Sequence, residues 1–228
     1  MNRERFRVDA MEGHRVWSEF YDSDPNPMLS LEFRVAGALL GDLAGQTFID
    51  IAVGTGRWMT EALRRGAIAI GVDLCPEMLA CAARKPGARG RLAQADVHDL
   101  PLADGCADVV MCAFSAGYIE RLQMAMAELS RITRPGGRII ITDIHPEGRR
   151  RGWTRSFRTG DRVFELESQA HSEQHWIEAG QNAGLTLAQW IEPRFEDPEW
   201  IIFRQAGKAE PFATAREIPA VLIAVWRR

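Results

Sequence analysis

The chain has 228 residues, of which 46% are hydrophobic and 26% charged, a composition that excludes disordered and collagen-like architectures. With 28 Lys and Arg against 31 Asp and Glu, its net charge is −3, so there is no overall attraction to nucleic acid or to an anionic membrane. No apolar run approaches the roughly 18 residues of a membrane-spanning helix, and Met1–Arg7 contains no hydrophobic signal region. We therefore expect a single domain over 1–228 in a cytoplasmic protein.

The four cysteines predict no metal site. Cys75, Cys81, Cys106 and Cys112 form no CxxC pair, and their spacing is not that of zinc ligands. Each lies in an apolar neighbourhood, which favours reduced, structural thiols.

The N-terminal 27 residues are polar and mixed and end in the turn-rich Asp22–Pro27, so we expect an irregular segment there. An apolar stripe at helical spacing then predicts a helix over 29–40. Further along, the pattern predicts strands at 48–53, 67–73, 90–94, 107–113 and 138–143, and helices at 56–65, 76–84 and 119–133. Continuously apolar strands separated by helices predict an α/β, doubly wound parallel sheet, in which ligands bind at the carboxyl ends of the strands.

After residue 143 the pattern changes. Two short strands are predicted around Thr159–Asp161, followed by a helix over 171–183 and strands over 185–191 and 221–226. The chain shows no internal repeat.

A glycine turn joins the first predicted strand of the sheet to its helix, in Asp50–Arg57 (DIAVGTGR). Glycine lets the backbone approach a ligand closely, although a tight strand–helix turn explains the same residues. Asp73 closes the next strand, and a carboxylate there can accept both hydroxyls of a ribose. The alternative role for Asp73 is to cap the helix that begins near Pro76. Together the turn and Asp73 predict a cofactor that contains adenosine.

Two residues favour S-adenosylmethionine over a nicotinamide dinucleotide. The dinucleotide fingerprint needs a small third residue, but this chain has Met59 there. Asp50, just before the turn, would repel a pyrophosphate and suits a ligand that carries an ammonium group.

Five segments in order resemble the motifs of the class I S-adenosylmethionine-dependent methyltransferases that act on small molecules: Phe48–Trp58, Gly71–Leu79, Gln94–Val97 with Leu100-Pro101, Asp108–Phe114 and Leu129–Gly137. The resemblance covers about 45–143 and continues more loosely to the last strand. It implies a Rossmann-like, mostly parallel seven-stranded sheet with the last strand antiparallel, and methyl transfer from S-adenosylmethionine to an O, N or C nucleophile without a metal.

The resemblance also implies a site and a division of the chain. Asp73 would hold the ribose, Asp96 and the Val97 backbone the adenine, and the strand end at Ala113-Phe114 the methionine part. The full cofactor set that we predict is Tyr21, Asp50, Ala52, Gly54, Gly56, Asp73, Leu74, Met78, Asp96, Val97, Ala113 and Phe114. Residues 1–44 would form an N-terminal cap, 45–143 the cofactor half and 144–228 the substrate half, with a lid over 145–170.

Ala52 departs from the pattern, because it replaces the usual first glycine of the turn. Its methyl group is expected to crowd the cofactor. This motivates an alternative, a non-catalytic binding module with a methyltransferase-like fold.

Histidines near the predicted substrate mouth are the candidate catalytic bases. His145 follows the strand at 138–143, and His171 begins the next helix; a loop or capping role is the alternative for each. His14, His98 and His175 are weaker candidates, and we expect His98 to be exposed. Tyr21 and Tyr118 are either walls of the site or ordinary packing residues.

Residues 149–162 hold six arginines and one acid, with Trp153, Phe157 and the nearby Phe164 interleaved. Three interpretations stay open: a lid that guides an anionic substrate, an RNA contact, or a solvated hairpin whose aromatic side chains pack down on the sheet. RNA methylation is the weaker alternative because Ala113–Ala116 lacks the motif common in enzymes that methylate base amines.

Overall fold

The computed structural model describes residues 4–207 and 209–228, so the first three residues of the predicted irregular segment, which also begin the stretch considered for a signal region, lie outside it. The described strands are β1 (Glu4–Val8), β2 (Thr47–Ile51), β3 (Ile68–Asp73), β4 (Leu92–Gln94), β5 (Ala107–Ala113), β6 (Thr133–Ile144), β7 (Arg155–Thr159), β8 (Arg162–Leu166), β9 (Thr186–Ile191) and β10 (Val221–Arg227). The helices are α1 (Ala10–Trp17), α2 (Pro27–Leu39), α3 (Arg57–Arg64), α4 (Pro76–Ala82), α5 (Leu122–Ile132), α6 (Pro146–Arg150), α7 (Glu173–Asn182), α8 (Asp197–Gln205) and α9 (Ala209–Ala215).

Seven strands form one sheet in the order β4-β3-β2-β5-β6-β10-β9. The pairs β2–β3, β2–β5, β3–β4 and β5–β6 are parallel, whereas β10 runs antiparallel to both β6 and β9. The predicted doubly wound, mostly parallel sheet with an antiparallel last strand is confirmed.

The apolar runs that were predicted to be strands are buried, because helices cover both faces of this sheet. Phe48 and Ile49 are adjacent in β2 and fully buried, yet they belong to two different hydrophobic clusters. Successive side chains of a strand point to opposite faces, so each cluster is the core on one side of the sheet. This is why β2 is continuously apolar rather than alternating.

The expectation of an irregular segment over 1–27 is wrong, because this stretch contains β1 and α1. β1 pairs in parallel with β8, which pairs antiparallel with β7, in a separate three-stranded sheet. β1 has only two apolar residues, Phe6 and Val8, and its partner strand lies far along the sequence. No local pattern therefore marks it as a strand.

The predicted hairpin around Thr159–Asp161 is confirmed as β7 and β8, but most of its aromatic packing differs from the expectation. Phe157 is buried and stacks on Trp17 of α1, with ring centroids 5.0 Å apart, and on Phe164 at 5.1 Å. The aromatic rings of the hairpin, Phe157 and Phe164, thus pack with α1 and not on the seven-stranded sheet. Only Trp153, before the hairpin, joins the main core, next to Phe195.

Several helices in the second half of the chain were not predicted, namely α6, α8 and α9. Glu199 of α8 is fully buried and accepts two hydrogen bonds from Arg34 of α2, which fixes α8 against the N-terminal half. The helix predicted at 119–133 begins later, at Leu122, after a short 3₁₀ turn over 116–118. None of the helices in the described residues has the length and apolarity to span a membrane.

Candidate functional site

A cavity of about 370 Å³ lies at the carboxyl ends of β2, β3 and β5. Parts of α1, the loop at 95–98 and residues 113–119 complete its wall. Ten of the twelve predicted cofactor residues line it: Tyr21, Ala52, Gly54, Asp73, Leu74, Met78, Asp96, Val97, Ala113 and Phe114. The carboxyl edge of a parallel sheet is where ligands bind in doubly wound folds, and the predicted residues meet there.

Asp73 is the last residue of β3, and its side chain joins the glycine turn after β2 to the start of α4 in this wall. One carboxylate oxygen accepts the amide hydrogen of Gly54 at 2.7 Å, and the other accepts that of Cys75 at 2.8 Å. Cys75 is the N-cap residue of α4, so Asp73 does not bond an amide within the first turn, as a capping side chain would. Burial raises the pKa of Asp73, while these backbone hydrogen bonds lower it.

The glycine turn has a left-handed backbone at its ligand-facing positions. Gly54 has φ of 54°, and a Cβ added there would meet no side chain within 4 Å, so that space belongs to the cavity. Ala52 has the same φ of 54°, and Phe114 has φ of 51°. Among the described residues these two are the only non-glycine residues with positive φ, and both line the cavity. Such strain concentrates at functional sites.

Gly56 and Asp50 do not line the cavity, which changes the roles assigned to them. Gly56 is the N-cap residue of α3, and a Cβ there would lie 3.2 Å from Cβ of Ala82. Asp50 is buried and accepts the amide hydrogen of Met59 at 2.8 Å. Its carboxylate therefore supplies the capping oxygen that glycine lacks. Burial raises the pKa of Asp50 well above its usual range.

The loop after β4 presents Asp96, Val97 and His98 to the cavity. Asp96 accepts hydrogen bonds from the backbone amide of His98 at 2.9 Å and from its Nδ1 at 2.5 Å, and the first of these is the main reason that the pKa of Asp96 is lowered. The expectation that His98 is exposed is wrong, because its side chain is only 14% exposed. Its Nε2 is buried without a hydrogen-bond partner among the described residues.

Tyr21 lines the cavity, and its ring centroid lies 4.7 Å from that of Trp17. Burial raises the pKa of its phenol. All four cysteines are free thiols, as expected, and Cys75 and Cys112 lie in the cavity wall. No group of three or more His, Cys, Asp or Glu in the described residues is placed to hold a metal ion.

Neither predicted base lies in the cavity wall. His145 is the N-cap residue of α6: its Nδ1 accepts the amide hydrogen of Glu147 at 3.0 Å, and its Nε2 bonds Glu192 at 2.7 Å. These contacts match the capping alternative.

His171 is also engaged at both ring nitrogens. Its Nε2 lies 3.1 Å and 3.0 Å from the carbonyl oxygens of Ala116 and Ile119, and its Nδ1 lies 3.2 Å from Nδ1 of His175. Carbonyl oxygens only accept, so Nε2 carries the proton. Burial lowers the pKa of this imidazole. Its contacts position the 3₁₀ turn behind the cavity wall.

Two histidines line the cavity with a ring nitrogen that has no hydrogen-bond partner among the described residues. One is His98, and the other is His14 of α1, which the sequence ranked low. Its ring lies edge-on to Tyr118, with centroids 4.9 Å apart. Burial lowers the pKa of His14 to about 4. The available signal was weak, because α1 is a short helix that buries only Gly13 and Trp17 fully.

Four of the six arginines in the arginine-rich segment bond other groups of this chain. Arg155 is buried and donates to the carbonyl oxygen of Phe114 at 2.6 Å and to the carboxylate of Asp143. Arg149 donates to the carbonyl oxygens of Trp153 and Ser168, and Arg150 and Arg151 pair with Glu147. No lysine or arginine appears among the described residues that line the cavity.

Comparison with known proteins finds methyltransferases similar to this chain. Residues 49–141 match the family described as methyltransferase domain. Demethylmenaquinone methyltransferase of Thermus thermophilus is 38% identical over 108 residues, or 45% of this chain and 49% of that protein. A malonyl-[acyl-carrier protein] O-methyltransferase of Pectobacterium atrosepticum is 37% identical over 47% of this chain and 42% of its own length. The matches thus span about half the length of these curated relatives.

A solved S-adenosylmethionine-dependent methyltransferase from Mesorhizobium loti superimposes with a TM-score of 0.69 at 19% identity, covering 87% of this chain and 98% of that one. The chain has the class I methyltransferase fold. The resemblance inferred from the motifs is confirmed, and the methyltransferase fold places Asp73, the glycine turn and the loop at 95–98 around one cavity.

Proposed function

We propose that this protein transfers a methyl group from S-adenosylmethionine to an O, N or C nucleophile of a small molecule. The observation that carries the proposal is the cavity at the carboxyl edge of β2, β3 and β5, with Asp73 and the left-handed Gly54 turn in its wall. The curated relatives are named as methyltransferases, and one acts on oxygen by its name.

The residues in the wall fit this cofactor. The carboxylate of Asp73 has lone pairs beyond the two that accept backbone amides, which suits two ribose hydroxyls. The space that a side chain would fill at Gly54 is open. The unpartnered Nε2 of His98 lies in the loop assigned to the adenine, and a buried polar atom without a partner favours a ligand that satisfies it.

When bound, the sulfonium group of the cofactor supplies an electrophilic methyl carbon, and the protein has to align the acceptor with it and exclude water. Tyr21, Phe114 and Tyr118 provide aromatic walls for that purpose. Tyr21 and Tyr118 are held by ring contacts to Trp17 and His14, so α1 completes the enclosure. The buried Asp143–Arg155 pair anchors the β7–β8 hairpin behind it.

Methyl transfer is tested by incubating the protein with S-adenosylmethionine labelled in its methyl group and a mixed pool of small metabolites, with RNA in a separate reaction. We expect S-adenosylhomocysteine to form and label to enter molecules of the metabolite pool. The Asp73→Ala variant serves as the matched control. Equal product from this variant, or label in RNA alone, would overturn the proposal.

One observation favours a second candidate, the non-catalytic binding module. Ala52 holds a left-handed backbone conformation in the cofactor wall, and its methyl group occupies a position where the family pattern has glycine. Binding of S-adenosylhomocysteine without turnover on any pool would support this module.

A further inference from the structure

Part of the cavity wall is not used by the predicted cofactor contacts. One stretch of it is formed by the start of α1 with its N-cap residue and by the turn after β5: Asp9, Ala10, Met11, His14, Ser115, Tyr118 and Ile119. Because Asp73 and Asp96 mark the ribose and adenine ends, these residues form the end available to the acceptor. Most of them are apolar or aromatic, and His14 is the side chain among them with an unpaired nitrogen.

One hydrogen bond of the His14 ring determines which nitrogen is available. Nδ1 lies 2.7 Å from the carbonyl oxygen of Ala10, one turn earlier in α1. A carbonyl only accepts, so Nδ1 carries the proton and Nε2 carries a lone pair in the neutral ring. No group in the described residues bonds Nε2. The edge contact with Tyr118 holds the ring in place.

The charges around this end exclude the obvious alternative, an acceptor held by a cation. Arg155 lies 4.6 Å from the ring centroid of Tyr118, but its guanidinium is committed to Asp143 and to the carbonyl oxygen of Phe114. The carboxylate of Asp9, which accepts the amide hydrogen of Glu12, adds negative charge at the rim. An anionic acceptor would therefore be repelled there and would find no free positive partner in the wall.

We propose that His14 is the catalytic base, and that the acceptor is a neutral, largely apolar ring compound whose hydroxyl donates a hydrogen bond to Nε2 of His14. This inference rests on the proposed function and deepens it. The acceptor oxygen forms a bond to the methyl carbon while the bond from that carbon to sulfur breaks, its electron pair staying on sulfur. The hydroxyl proton passes to Nε2, so the positive charge lost at sulfur reappears on the imidazole.

Low basicity in the resting site is compatible with this role. Burial, and the nearby charge of Arg155, lower the pKa of His14, so the ring is neutral at pH 7 and its lone pair is free. The hydroxyl becomes strongly acidic as its oxygen bonds to the methyl carbon, because that oxygen then gains positive charge. Proton transfer to a weak base is therefore favourable at that stage.

The test measures binding and does not require that the natural acceptor be known. The protein is loaded with S-adenosylhomocysteine and titrated with p-cresol, with p-xylene (in which a methyl group replaces the hydroxyl) and with 4-methylbenzoate, in wild type and in His14→Phe. We expect His14→Phe to reduce the preference for p-cresol over p-xylene about tenfold, with 4-methylbenzoate the weakest ligand of wild type. An unchanged preference, tighter binding of 4-methylbenzoate than of p-cresol, or no binding of any of the three would overturn the inference.

A second measurement covers the case in which His14→Phe does not fold. In the wild-type protein, the ¹⁵N resonance of His14 Nε2 should shift with p-cresol and not with p-xylene; equal responses would contradict the inference. Failure of the proposed function is distinguishable, because it appears as no binding of S-adenosylhomocysteine. The same three ligands can then be titrated against the free protein, where the His14 comparison still holds.

Discussion

Arg155 donates a hydrogen bond to the carboxylate of Asp143, and both side chains are buried. Asp143 lies near the carboxyl end of β6 and Arg155 begins β7, so the pair joins the seven-stranded sheet to the small one beside the cavity. Removing one partner of a buried pair leaves an uncompensated charge, which costs far more than the pair itself contributes.

Arg155→Met should therefore lower the free energy of unfolding by about 3–5 kcal/mol. The double variant Arg155→Met/Asp143→Leu should be more stable than Arg155→Met alone, since it removes both charges. Arg158→Met, at an exposed position of the same strand, is the control and should stay within about 0.5 kcal/mol of wild type. Urea unfolding followed by tryptophan fluorescence measures all three; a double variant no more stable than Arg155→Met would show that the pair is not coupled.

Ala52→Gly should stabilise the protein, by up to about 1 kcal/mol, because an alanine with φ of 54° is strained in a conformation that glycine adopts freely. The gain is limited by the greater freedom of glycine in the unfolded chain. Ala80→Gly, at an exposed position inside α4, should have the opposite sign and lose about 0.5–1 kcal/mol. If both substitutions destabilise equally, the strain at Ala52 is absent.

His14 should make stability depend on pH. Its pKa is about 4 in the folded protein, against 6.5 in the unfolded chain, because burial disfavours the charged ring. The unfolded state binds more protons between these values, so the contribution is complete above pH 6.5 and is lost as pH falls through 4. It amounts to at most about 3 kcal/mol.

The measurement is the urea midpoint at pH 7.5 and pH 4.5 for wild type and His14→Phe. Other titrating groups are common to both proteins, so the difference between the two pH dependences isolates His14. We expect the variant to lose less stability on acidification than wild type. Parallel losses would mean that His14 is not buried in the neutral form.

The sequence predicted the sheet and brought out most of the residues that line the cavity, because both depend on local patterns. The strands that surround Asp73 are continuous apolar runs, and Asp73 is recognisable from its place at the end of one. The placement of β1 and the role of His145 depend on contacts between distant segments: Glu4 of β1 aligns with Arg162 of β8, and His145 bonds Glu192. The sequence near these residues does not indicate their distant partners. Sequence patterns therefore favour His145 over His14 as the candidate base.

The arginine-rich segment shows the same limit. Six arginines in fourteen residues suggest a surface for anions, but the sequence does not show where Arg149 and Arg155 find carbonyl oxygens. Once those acceptors are known, the segment is better described as an anchored hairpin in which Arg150, Arg151 and Arg155 pair with the carboxylates of Glu147 and Asp143.

The central claim is that the cavity around Asp73 binds S-adenosylmethionine, and calorimetric titration with this molecule and with S-adenosylhomocysteine tests it most directly. We predict micromolar binding by the wild-type protein and about 100-fold weaker binding by Asp73→Ala, because two hydrogen bonds to a charged carboxylate are lost. Asp99→Asn, an exposed aspartate of the nearby loop, should bind like wild type. Absence of binding by folded wild-type protein, or equal affinity in Asp73→Ala, would contradict the account.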